Sequence, residues 1–376
     1  MRRHHPVVLA LVAGLALVAA ACGTPPSSTP GPIPSCPSRQ LVQLDPPSTT
    51  DYRIVRAVSA TGAWAVVSRS VGSSWELSIR RTEPGAHPTV VGNVTDVDTT
   101  QTREPEVSVS PDGSSVLFQA NQQPTADLFR WTLATGTTQV VPPPLATDPV
   151  TATTLTSAPR LSTDGRRILW VAIYQDTPLH YRSILTTTDA STDVVLSQHD
   201  LDGFWYGGGI SSGGHQIGLL DVDAGTLAPV PDADAAIAAQ FPGSEVGPSL
   251  SSDDGRYLTF EGGGATTPPR YDLLVWDRTT ATARPVVIDS GRGPWVTALS
   301  DAGAVLWSSV SPTTGEADLL VSGTDGINRT IGRNAAPTFG SSFTTTWSRA
   351  STDLRTVVFT EDTGLTGLRL VASRCN

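Results

Sequence analysis

The chain has 376 residues, of which 39% are apolar and 16% charged, with a formal net charge of −10. That apolar share is ample for a core, while the acidic balance argues against nucleic acid as a partner and against an electrostatic grip on anionic lipid. All 25 basic residues are arginine, so no lysine Schiff base or lysine general base is available.

The first 21 residues read as a secretory signal. Arg2 and Arg3 form a basic start, and Val7 to Ala21 form an apolar stretch too short for a comfortable membrane span. The segment ends in Val18-Ala-Ala-Ala-Cys22-Gly23, which resembles a bacterial lipobox. The resemblance implies that Cys22 becomes the lipid-modified N-terminus, and an ordinary signal peptide with an incidental cysteine is the alternative. Residues 22–38 are rich in Pro, Ser, Thr and Gly and suit a semi-extended tether. The expected location is the extracytoplasmic face of the cell membrane, held there by the lipid anchor alone. Residues 39–376 are expected to form one monomeric domain.

That domain carries a short phrase seven times. Clear copies are Ser110-Pro-Asp-Gly113, Ser162-Thr-Asp-Gly165 and Ser251-Ser-Asp-Asp-Gly255. Weaker copies are Ser59-Ala-Thr-Gly62, Ser211-Ser-Gly-Gly214, Ser300-Asp-Ala-Gly303 and Ser351-Thr-Asp-Leu354. They recur about every fifty residues, the period of one four-stranded unit. An apolar residue precedes each copy, and a short apolar run follows, such as Val116-Leu-Phe118, Ile168-Leu-Trp170 and Val305-Leu-Trp307. The pattern predicts strand, tight turn, strand. Third strands such as Asp127-Leu-Phe-Arg-Trp131 and Asp272-Leu-Leu-Val-Trp276 follow, then weaker fourth strands such as Thr138-Gln-Val-Val141. The expectation is all-β: a seven-bladed β-propeller, or six blades if unit four is only an insertion.

Ser110 to Trp131, and nearly as well Ser251 to Asp277, resemble the TolB-type (WD40-like, PD40) propeller repeat: a Ser-Pro-Asp-Gly turn, an apolar-aromatic strand, then an Asp-Leu-aromatic strand. The resemblance covers about residues 55–375 and implies the fold, not an activity. The turn residues are structural, Asp capping the turn and Gly accepting positive φ, so Asp112, Asp164 and Asp254 are given no catalytic role. Ser162-Thr-Asp-Gly165 lacks the residue between Asp and Gly that a sialidase Asp-box requires.

The last unit stops at Asn376 without a fourth strand, while Gln40-Leu-Val-Gln-Leu44 precedes the first repeat. Residues 40–44 are therefore expected to complete the last blade and close the ring. The missing hairpin would fall between Cys375 and Cys36, and a disulfide there would stabilise by about 4–5 kcal/mol. Two unpaired thiols are the alternative.

Chemistry is less legible. Arg160 and Arg349 stand where the other units carry small residues. Glu106 and Trp347 lie two positions further upstream in their units. Glu106 with Arg160 reads either as an ion pair between blades or, with Arg349, as part of an anion- or peptide-carboxylate site at the channel mouth. Phe204-Trp205-Tyr206 before three glycines reads as core or as a carbohydrate or peptide contact. His87, His180, His199 and His215 show no metal-ligand spacing, and no Gly-x-Ser-x-Gly elbow occurs. No catalytic residue, metal or cofactor is assigned. The expected function is binding or scaffolding of an envelope protein or peptide. The alternative is an envelope carbohydrate hydrolase or lyase using acidic residues at the channel.

Overall fold

The computed structural model describes residues 36–375, except 37, 51–52, 72–73, 96–106, 123–124, 142–154, 163–164, 178–179, 191, 193–194, 203–204, 207–209, 212–217, 222–225, 230–232, 245, 253, 265–269, 311–316, 334–347 and 364–366. The signal segment, Cys22, most of the tether, Glu106 and Trp347 lie outside the described residues.

Six four-stranded antiparallel sheets follow the repeat. Numbered by repeat unit, sheet one comprises Arg53–Val58, Trp64–Val71, Ser74–Arg81 and Thr89–Thr95; sheet two, Val107–Val109, Ser115–Gln122, Thr125–Thr132 and Thr137–Val141; and sheet three, Leu155–Leu161, Arg167–Thr177, His180–Asp189 and Val195–Asp202. Sheet five comprises Gly247–Ser251, Tyr257–Gly264, Arg270–Asp277 and Thr282–Ser290; sheet six, Gly293–Leu299, Val305–Val310, Ala317–Ser322 and Asn328–Arg333. Sheet seven joins Ser348–Ala350, Thr356–Asp362 and Leu368–Cys375 to the N-terminal strand Arg39–Gln43, which pairs antiparallel with the last strand from Arg39↔Cys375 to Gln43↔Val371. A Cys36–Cys375 disulfide with Cα atoms 5.4 Å apart stands beside that pairing.

Unit four departs from its siblings. Its described residues form two two-stranded sheets, Trp205–Tyr206 with Ile210–Ser211 and Gly218–Asp221 with Thr226–Pro229. Ile210 pairs with Tyr206. The all-β expectation also needs correction by one helix, Ala233–Gln240. Its Ala233 and Ile237 pack on Leu258, Phe260, Leu274 and Trp276 of sheet five.

The core lies between sheets, and this explains the apolar triplets. Side chains alternate faces along a strand, and both faces here are covered. Val66 joins Val116, Phe118 and Trp131 of sheet two, whereas Ala65 and Val67 join Val358, Leu370 and Ala372 of sheet seven. Leu306 faces Phe359 of sheet seven, whereas Val305 and Trp307 face Leu273 and Val275 of sheet five. Strands covered on both sides read as continuous apolar runs, not as alternation.

Candidate functional site

The repeated turn is a closed hydrogen-bond unit. In sheet two, Ser115 N–H donates to Ser110 Oγ (3.0 Å), Ser110 Oγ donates to Asp112 Oδ1 (2.7 Å), and Ser114 N–H donates to the same oxygen (2.9 Å). The Ser114 amide first, and the Ser110 hydroxyl next, hold the Asp112 carboxyl below its ordinary pKa. Asp254 and Asp353 repeat the arrangement with Ser252 and Ser351, both at 2.7 Å. These carboxylates cap turns, as the sequence predicts. One register needs correction: in unit five Gly255 N–H bonds Ser252 O and Tyr257 N–H bonds Ser252 Oγ, so the turn serine is Ser252 and not Ser251.

The first strand of each sheet has no backbone partner along one edge, so its amides and carbonyls need partners from elsewhere. Neighbouring sheets supply them. Arg349 Nε donates to Arg56 O (3.1 Å) and its Nη1 to Ser348 O (2.8 Å). Arg56 sits at a register shift between Val55 and Ala57, a bulge that aims main-chain groups out of the ladder. Thr360 Oγ1 donates to Arg53 O (2.7 Å), and Leu161 N–H donates to Ser108 Oγ (3.2 Å). Glu261 accepts from Ser249 Oγ (2.8 Å) in its own sheet and from Val296 N–H (3.0 Å) in sheet six. Burial raises the Glu261 pKa, and those two bonds only partly oppose it.

Of the residues singled out from sequence, Arg349 is placed at the joint between sheets seven and one. Arg160 lies in the strand Leu155–Leu161 opposite Leu169, and Trp205 and Tyr206 lie opposite Ser211 and Ile210; the side chains of these three are outside the described residues. Glu261 and Trp295 escaped the sequence reading. Glu261 directly follows the buried run Leu258-Thr-Phe260, and a carboxylate there is the signal that marked it. Trp295, next to the Val296 amide that Glu261 holds, is 40% exposed on the first strand of sheet six.

Two cavities open between sheets. One of about 250 Å³ is lined by Asp45, Arg53, Arg69, Glu76 and Arg80. Its charges are paired: Asp45 lies 2.8 Å from Arg53 and 2.6 Å from Arg80, and Arg69 lies 2.9 Å from Glu76. The other, about 200 Å³, is lined by Tyr257, Asp277, Thr280, Thr282 and Arg284, and its Asp277 is held by Arg256 at 2.8 Å. Among the described residues no three His, Cys, Asp or Glu side chains gather as a metal site, and no helix is long and apolar enough to cross a membrane.

No family model and no curated protein matches the sequence. Solved structures do match. An oligogalacturonate lyase from Vibrio parahaemolyticus aligns with TM-score 0.57 and 11% identity, over 89% of this chain and 98% of that one. An oligogalacturonate lyase in complex with manganese aligns with TM-score 0.56 and 14% identity, over 90% and 93%. TolB from Acinetobacter baumannii aligns with TM-score 0.38 and 15% identity, over 74% of this chain and 54% of that one. At these identities the likeness is one of fold. The successive four-stranded sheets are blades of a β-propeller.

Proposed function

We propose that this chain is a lipid-anchored, non-catalytic binding or scaffolding protein of the bacterial cell envelope. In this reading residues 1–21 are removed, Cys22 carries lipid, residues 22–38 are the tether, and 39–376 are a monomeric propeller. It has seven blades, with residues 203–246 filling the fourth place and the N-terminal strand closing the ring. Its partner is an envelope protein or peptide docked on one propeller face or at the channel, and Arg160, Glu106, Trp347, Trp205 and Tyr206 are the candidate contacts.

The observation that carries the binding reading is Trp295. An exposed indole stands on the first strand of sheet six, while the charged groups beside the first strands, Arg349 and Glu261, are engaged in holding blades together. Aromatic side chains exposed in this way give contact area for partner recognition. The test is crosslinking in the native membrane followed by identification of partners, comparing wild type with Trp295→Ala. A specific protein adduct that the substitution weakens supports the reading, and identical adduct patterns sink the role of Trp295.

The second reading is an envelope carbohydrate hydrolase or lyase. It is prompted by the oligogalacturonate lyases that share the fold over most of the chain. Incubating the purified protein with oligogalacturonate and other acidic oligosaccharides, and following new unsaturated or reducing ends, distinguishes the two. Turnover would favour the enzyme.

A further inference from the structure

The point where the tether meets the propeller sets which face looks at the membrane. In five sheets the residue that ends or just follows the third strand donates its N–H to the carbonyl of the residue just before the second. The pairs are Thr82 to Ala63, Leu133 to Ser114, Ala190 to Arg166, Arg278 to Arg256 and Cys375 to Arg355, all 2.7–3.0 Å. The turn after the first strand and the turn after the third strand therefore share one end of each of these sheets. In sheet seven Cys375 occupies the place where the others turn into a fourth strand, and its sulfur is bonded to Cys36. Arg39 Nη2 reaches Leu354 O (2.6 Å) in the same turn. The tether thus leaves from the end of the propeller that carries the Ser-x-Asp-Gly turns.

Those turns also touch one another from sheet to sheet. Thr61 Oγ1 donates to Pro111 O (2.9 Å), Asp254 N–H to Asp301 Oδ1 (3.0 Å) and Thr352 N–H to Ala60 O (3.3 Å). Between these neighbours the turns lie side by side on one face. Strands of eight residues, such as Trp64–Val71, separate the two faces by roughly 26 Å.

We infer that the turn face is held toward the membrane and that the opposite end of the strands is turned away from it. This rests on the proposed lipid anchor at Cys22. A Pro-rich tether from 23 to 35 spans at most about 40 Å, and the far face stands a full strand length beyond its attachment point. The tether and not surface charge sets the orientation, because the chain is acidic.

The experiment uses the full-length, lipidated protein in vesicles containing acceptor-labelled lipid. A donor dye is placed on a single added thiol, either Glu83→Cys on the turn face or Val71→Cys at the other end of sheet one; both positions are exposed. Energy transfer to the lipid is expected to be markedly stronger from position 83 than from position 71. Equal or reversed transfer, in protein that floats with the vesicles, overturns the orientation while leaving the anchor intact. Failure of the wild type to float, or unchanged flotation of Cys22→Ser, removes the anchor and the orientation with it.

Discussion

Gly113 rests on the indole of Trp64: a methyl group on its Cα would fall 2.4 Å from the ring. Its φ of +73° also favours glycine. The turn of one blade is therefore seated on the first residue of the second strand in the blade before it. Gly303 on Tyr257 and Gly62 on Thr356 repeat the contact at 2.9 and 2.4 Å. Gly113→Ala is expected to cost about 1–2 kcal/mol for the left-handed backbone and about 1–3 kcal/mol more for overpacking a rigid ring. Gly136 has a φ of +62° but nothing within 4 Å of an added methyl, so Gly136→Ala should show the backbone cost alone. Denaturant unfolding of both variants checks this, and equal losses would show that the indole contact contributes nothing.

Leu354 inverts that pair. It holds the glycine position of the seventh turn at a φ of +56°, is 3% exposed, and shares a buried cluster with Ala304. Ala304 stands in blade six where Trp64 and Tyr257 stand in theirs, since its N–H bonds the turn serine Ser300 (2.9 Å). Small on large has become large on small. Leu354→Gly relieves the backbone but removes a buried side chain, so a net loss of about 1–3 kcal/mol is expected. Ala304→Tyr alone should overpack. The double variant should recover much of both losses, giving a stabilising coupling in a double-mutant cycle. Strict additivity would rule out the contact.

The repeat was legible because it is local. The turn serine, the capping aspartate and the two-sided apolar run lie within about ten residues and make their bonds among themselves. Where two serines adjoin at Ser251 and Ser252, locality was not enough, and only the bonds of Gly255 and Tyr257 set the register. The helix Ala233–Gln240 carries its own signal, a run of alanines, hidden by the expectation of a fourth set of strands. The partner of Glu261 was not legible because Val296 comes from the next blade. The inter-blade ties join residues tens to hundreds of positions apart, as Arg349 and Arg56 do, and no period within one unit reveals them.

Glu261 makes stability depend on pH in the less common direction. Burial raises its folded pKa above the ordinary carboxylate value of 4.5, so the folded state holds the proton more tightly than the unfolded chain. Stability from this group is complete below the unfolded pKa and is lost as pH rises through the folded pKa. Glu261→Gln keeps an oxygen for Val296 N–H and cannot ionise. The thermal midpoint of the wild type should therefore fall relative to the variant as pH rises above about 4.5, and the gap should be constant above the folded pKa. Melting curves from pH 4 to 8 check this. Parallel curves across the whole range would show that Glu261 titrates as an ordinary surface carboxylate.

The Cys36–Cys375 bond spans 339 residues, so the chain entropy it removes from the unfolded state is near the top of the usual range, about 4–5 kcal/mol. It also pins a strand with little else to hold it from outside: Leu41 is 54% exposed, whereas Val42 and Leu44 are buried against blade one. Cys36→Ser is expected to lower the unfolding midpoint substantially, and dithiothreitol on the wild type should lower it equally. Early proteolysis should then fall at residues 39–45, because the strand can fray without breaking a blade core. Blade seven would lose its outer strand first and the seam with blade one next, since Asp45 and the Leu44 carbonyl are both held by Arg80 of blade one. Unfolding of variant and wild type at the same denaturant concentration would mean that the strand pairing and the Arg80 contacts close the seam by themselves.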